Sequence, residues 1–243
     1  PKFMQMHPSN LEIRRIVTDS DLDGVVTAAI LGRWWADAEV VFGHPGEIRA
    51  GLFDDLIDEW TAVCDLPMHP KCGLSIDHHQ SNRPVDNDSR AMVVWKDAPS
   101  AARIAYELFH EVIDLSDLED LLDWVDKLDS GSISHEEFLS HAPAVWLSRI
   151  VDSGEEATAW VLEQLKSGVT IEEILADSRI SRLVTEKEEE LKNLNEIILS
   201  SMRIQDRIAV VRLDGSGIRS NGYHVTAMAG DRCDACMIIH GDI

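Results

Sequence analysis

Cys72-Gly73-Leu74-Ser75-Ile76-Asp77-His78-His79 sets one carboxylate and two imidazoles side by side at the end of a short apolar segment, Cys72 to Ile76. Three adjacent metal-capable side chains are hard to explain as packing. Two other apolar segments end alike: Ile13 to Val17 runs into Asp19, Asp21 and Asp23, and Thr61 to Cys64 runs into Asp65. If all three are parallel strands, their carboxyl ends share one rim, where ligands gather in open α/β sheets. Acids and histidines distant in sequence can then converge on one metal site.

The composition is that of a globular chain: 243 residues, 44% hydrophobic and 27% charged. No apolar run approaches the ~20 residues needed to span a bilayer, and the N-terminus lacks the charged-then-apolar layout of a secretory signal. A soluble, cytoplasmic protein without a membrane partner is the expectation. The first residue is Pro, which leaves room for processing or trimming. A formal charge of −22 argues against gripping long nucleic acid by the general surface, because that binding needs many Lys and Arg on phosphates. A phosphate substrate must be attracted locally, and divalent cations held by acids reverse the local field. The acidity also serves simply to keep the surface hydrated. Of four cysteines, Cys64 and Cys72 read as buried thiols, and the lone CxxC of Cys233 and Cys236 as small residues beside a strand.

Strand and helix patterns alternate from residue 11 to about 115. Strands are expected at Ile13 to Val17, Ala38 to Phe42, Ala62 to Cys64, Cys72 to Ile76 and Met92 to Trp95, and helices at Val25 to Trp35, Glu47 to Trp60 and from Ala101 onward. Pro99 and Ser100 open the last of these. Such alternation implies an α/β fold with a mostly parallel sheet flanked by helices. Residues 116 to about 202 read as all-helical; Ile180, Leu183, Val184, Leu191, Leu194 and Ile198 keep a helical spacing, so the run Glu186 to Glu190 is a solvated face. Arg207 to Leu213 and Ala235 to Ile239 read as strands. Roughly 40 residues are few for an independent core, so the start of a smaller, incomplete α/β domain is expected at the C-terminus.

Asp19, Asp21 and Asp23 alternate with Ser20 and Leu22, and Gly24 closes the loop. In an extended loop, residues two apart face the same way, so Asp21 and Asp23 can each offer an oxygen to adjacent cations. Gly24 lets backbone or substrate come close. Asp65 can bridge two ions, and a nitrogen ligand from His78 favours Mn²⁺ over purely oxygen-liganded Mg²⁺. Two ions roughly 3.5–4 Å apart suit in-line displacement at phosphorus, hence hydrolysis of a phosphate ester or anhydride. Acids before a helix serve equally as N-caps.

These residues resemble the DHH phosphoesterase family. Asp19-Ser20-Asp21-Leu22-Asp23-Gly24 is similar to its first motif, Asp65 within Cys64-Asp65-Leu66-Pro67 to the second, Asp77-His78-His79 to the third, and Ala98-Pro99-Ser100-Ala101-Ala102 to the helix start that follows. The resemblance covers about residues 11 to 130, and its first motif is closer to the RecJ-like form than to manganese pyrophosphatases, which carry a His where this chain has Val17. It implies two Mn²⁺ ions, with Mg²⁺ as a substitute: Asp21 and Asp65 on one, Asp23, Asp65 and His78 on the other, and Asp19 in place of the missing His. The fourth motif implies a last ligand at Asp129, preferred over Asp126. Asp23, His78 and His79 would carry the chemistry, with His79 on substrate phosphate and Asp77, Ser100 and Asp126 around them. The implied division is residues 1–178 as the phosphoesterase domain, 179–202 as a connector helix and 203–243 as a partial substrate-binding domain. The family's Gly-Gly-x-His element is absent, and Asn221-Gly222-Tyr223-His224, a superficial echo, reads as a turn.

The implied substrates are short single-stranded nucleic acid, nucleic-acid ends or nucleotide-derived diesters, with inorganic polyphosphate as the runner-up; the oligomeric state is open. The seven Trp residues read as packing rather than as a stacking platform, and His44 as structural. A rival reading takes Asp21-Leu22-Asp23-Gly24-Val25 as the nucleophile motif of haloacid-dehalogenase-type phosphatases, with Asp231 and Asp234 as a late acidic motif. It leaves Asp65 and Asp77-His78-His79 without work. A third takes the chain as an inactive scaffold.

Overall fold

The computed structural model describes residues 6–85, 90–151, 153–218 and 220–241; the outermost residues of the expected domains, 1–5 and 242–243, lie outside the described residues. The chain forms two compact units, one of residues 1–132 with 147–174, the other of 133–146 with 175–243.

The first unit is built on five parallel strands, β1 (Arg15–Thr18), β2 (Glu39–Phe42), β3 (Thr61–Cys64), β4 (Leu74–Asp77) and β5 (Met92–Trp95). They lie in the order β2-β1-β3-β4-β5. β3 and β4 are buried along their whole length, as expected for central parallel strands covered on both faces. α1 (Leu22–Trp34) follows β1 and is buried from Leu22 through Gly32, the mark of a helix enclosed on all sides. The strands were expected at nearly these places. The exception among the elements is the helix Glu47 to Trp60: α2 spans only Pro45–Arg49, because Gly51 takes φ +77° and ends it. Past that glycine, Phe53 and Ile57 enter a core with Val17, Ile48, Val63 and Leu66.

α3 (Ala101–Phe109) and α4 (Glu119–Asp129) complete the site-bearing part, and both pack against α1. The helical stretch continues as α5 (His135–Phe138), α6 (Pro143–Val151), α7 (Glu155–Lys166), α8 (Ile171–Ala176) and α9 (Ser178–Ser201). No helix among the described residues is long and apolar enough to cross a membrane.

The second unit carries a smaller mixed sheet, β6 (Arg203–Gln205), β7 (Ile208–Arg212) and β8 (Ala235–Ile239). β6 was not anticipated. It pairs antiparallel with β7 through a two-residue turn, Asp206 and Arg207, both at positive φ. The turn lacks the Asn-Gly or Gly-Gly signature that announces a hairpin; instead Arg207 is clamped by Asp234, Nε to Oδ2 at 2.7 Å. Asn221-Gly222-Tyr223-His224 is not a turn but the start of α10 (Gly222–Ala229), with Asn221 capping the His224 N–H at 2.8 Å. Leu194, Ile198, Ala209, Val211 and Val225 form this unit's core. Cys233 is buried in it, and Cys236 donates to the Gly222 carbonyl oxygen, so the CxxC is structural.

Candidate metal centre

Strand register places the site. Thr18 pairs with Cys64, and Cys64 with Ile76, so Asp19, Asp65 and Asp77 follow one another across a single rim. β1 connects to β2 on one side while β3 lies on the other, which makes the β1/β3 boundary the switch point where ligands bind in such sheets.

The loop after β1 folds back on itself. Asp21 caps α1 through the Gly24 N–H at 2.9 Å, and the Thr18 hydroxyl donates to the Gly24 carbonyl at 2.9 Å. A Cβ on Gly24 would stand 2.1 Å from the Asp19 carbonyl oxygen, so only glycine fits. Asp23 lies in the first turn of α1, 2% exposed, and its two oxygens accept the Ala101 and Ala102 N–H groups at 2.8 and 2.7 Å. This anchors the carboxylate on the N-terminus of α3, where the helix dipole favours negative charge. Asp65 leaves β3 in the left-handed region at φ +57°, which Asp tolerates better than most residues, and is 1% exposed.

His78 unites these acids. Its Nδ1 faces the Ala98 carbonyl oxygen at 3.1 Å. A carbonyl only accepts, so Nδ1 carries a proton and Nε2 is the nitrogen left to serve as a ligand. Nε2 faces Asp129 Oδ2 at 3.2 Å, and Asp23 Oδ2 and Asp65 Oδ1 each at 3.5 Å. Neither His78 Nε2 nor Asp65 Oδ1 makes a hydrogen bond, although both atoms are buried. Acceptors turned toward one another without donors are costly unless a cation lies between them. Asp23, His78 and Asp129 can all reach one ion; Asp65, Asp77, His78 and His79 form a second such group.

The second group is not uniform. Asp77 Oδ1 accepts the His78 N–H at 2.8 Å, the His79 N–H at 3.1 Å and His79 Nδ1 at 2.8 Å, while Oδ2 accepts Asn82 Nδ2 at 2.7 Å. With both oxygens engaged, Asp77 orients its neighbours. His79 is 44% exposed, and the hydrogen bond from Nδ1 to Asp77 raises its pKa against the opposing effect of burial.

Burial is the leading reason that the carboxyls of Asp23 and Asp65 are pushed well above the ordinary range, followed by their acidic neighbours. Asp129 is pushed up to about 6, again first by burial. Asp19 is raised by burial and by Asp21. Such a cluster favours cations and disfavours its own full ionisation. Asp19 and Asp21 border it: Asp19 accepts the Ser20 N–H at 2.6 Å, and neither joins the two ion-capable groups among the described residues.

α4 separates the two candidates for the last acid. Asp126 takes the Ser100 hydroxyl at 2.6 Å and Arg103 Nε at 2.8 Å, whereas Asp129, one turn later, faces His78. Ser100 also caps α3. His44 caps α2. Asp234 is occupied by Arg207, so the late acidic motif of the dehalogenase-type reading has a structural role. Asn82 and Arg103 escape sequence reading; their partners, Asp77 and Asp126, are recognisable only once the turn after β4 and the α3–α4 contact are formed.

No protein-family model and no curated protein matches the chain. Solved structures do. The pGpG-specific phosphodiesterase PggH from Vibrio cholerae superposes with a TM-score of 0.78 over 94% of this chain and 78% of its own, at 21% identity. Exonuclease RecJ bound to manganese superposes with a TM-score of 0.52 over 93% of this chain and 75% of its own, at 15% identity.

The fold is that of the DHH phosphoesterases. On this DHH fold the three sequence motifs occupy the carboxyl ends of β1, β3 and β4. Val17, at the family's alternative His position, is fully buried in the core.

Proposed function

We propose that this chain is a metal-dependent phosphodiesterase that uses two Mn²⁺ ions, or Mg²⁺ in their place, to hydrolyse short nucleotide diesters. The observation that carries the reading is the unpartnered pair His78 Nε2 and Asp65 Oδ1, buried among the carboxylates of Asp23 and Asp129. The likeness to PggH and to manganese-bound RecJ supports it, since the first is a pGpG-specific phosphodiesterase and the second holds the proposed ion.

In this reading Asp23, Asp65, His78 and Asp129 hold the ions, with Asp19 and Asp21 completing the coordination from the β1 loop. When bound, such ions supply an activated water and neutralise charge on the phosphate. Asp77 keeps the His79 ring in place and favours its doubly protonated form, in which Nδ1 donates to Asp77 and the exposed Nε2 edge donates to a phosphoryl oxygen. The Ala98 carbonyl fixes the His78 tautomer. A retained set of converging acids favours this reading over that of an inactive scaffold.

The test is an assay of dinucleotides, single-stranded oligomers and polyphosphate with Mn²⁺, beside calorimetry of Mn²⁺ binding. Turnover should be greatest on the shortest diesters, vanish on chelation, and fall at least about a hundredfold in His78→Ala. Undiminished turnover in that variant, or no Mn²⁺ binding by the wild type, rejects the proposal.

A further inference from the structure

Trp95 closes β5 opposite Asp77 in the parallel register, and its Nε1 donates to the His79 carbonyl oxygen at 3.0 Å. The indole is therefore pinned beside the Asp77-His78-His79 turn, half-buried rather than enclosed. Arg83, exposed, lays its guanidinium over this ring with Cζ 5.2 Å from the centroid. Among the described residues no carboxylate pairs with Arg83, unlike Arg14, Arg15, Arg33 and Arg103, each of which is matched by an acid. The indole face beside the phosphate-directed histidine is covered only by this exposed guanidinium, which a flat ring can displace: one face of the ring then stacks on the indole and the other meets the guanidinium.

We infer that Trp95 and Arg83 form a nucleobase subsite flanking the phosphate-directed cluster, in which a base displaces the guanidinium from the indole and is then covered by it. This rests on the phosphodiesterase reading and narrows it to nucleotides, since polyphosphate offers no ring to stack.

The full chain with Mn²⁺ is titrated calorimetrically with guanosine monophosphate, chosen for its large stacking face, and separately with inorganic phosphate. Trp95→Ala should weaken the nucleotide about tenfold and Arg83→Ala severalfold, with phosphate binding unchanged, while Trp95→Phe keeps most of the nucleotide affinity. Wild-type affinity for the nucleotide in both alanine variants, or parallel loss of nucleotide and phosphate, overturns the subsite. A wild type that binds the nucleotide in this pattern but cleaves no diester retains the subsite and rejects the phosphodiesterase reading instead.

Discussion

Asn82 shows how one side chain outside the motif governs another inside it. Its amide donates to Asp77 Oδ2, its carbonyl oxygen accepts Arg49 Nη2 at 3.2 Å, and Asp77 in turn holds His79. Freed from Asn82, the Asp77 carboxylate can rotate, and the His79 ring loses its fixed direction. Asn82→Ala is expected to lower kcat about tenfold or more with little change in Mn²⁺ affinity, because His78 and the acids are untouched. Steady-state kinetics beside calorimetry checks this; an unchanged kcat shows that Asp77 needs no such support.

At the scale of elements, the site is held by helix ends rather than by loops. The α3 N-terminus receives both Asp23 and Ser100, so one turn of helix fixes an ion-directed carboxylate and a cap together. Ser100→Ala removes the cap and one partner of Asp126; with the residue fully buried, a loss of about 1–2 kcal/mol in unfolding free energy is expected, read by denaturant titration. The β1 loop depends on a contact instead. In Gly24→Ala the new methyl would collide with the Asp19 carbonyl, forcing the loop off the rim. Mn²⁺ binding should weaken at least about tenfold, and calorimetry that finds wild-type affinity would show that the loop can shift without cost.

For the molecule as a whole, the acidic cluster links ions, protons and stability. Without ions, Asp129 titrates at about 6 against 3.8 for an ordinary carboxyl, so between these values the folded chain keeps a proton that the unfolded chain has released. Asp23 and Asp65 are raised in the same sense. The contribution of these three carboxyls to the stability of the ion-free chain is therefore greatest below the unfolded value and falls as pH rises through the folded one. In thermal melts of chelated protein, the Tm of Asp129→Asn relative to wild type should rise from about pH 4 to pH 7. Adding Mn²⁺ at pH 7 should recover the loss by binding only the folded state. A Tm difference between the chelated variant and wild type that does not change with pH would remove the electrostatic basis of the site.

The apolar segments and the acids that end them determined the parallel sheet and its functional rim, because strand length, burial on both faces and the residues just past each strand are local properties of the chain. Met92 to Trp95 and Ala235 to Ile239 were legible to the residue for that reason. Only the tertiary structure separates Asp126 from Asp129, the one meeting Arg103 and the other His78 once α3 and α4 have packed. It also decided where α2 stops, how Asp206 and Arg207 make a hairpin, and that Asn82 supports Asp77. Each of these depends on a backbone angle or a partner many residues away, and no spacing along the chain encodes it.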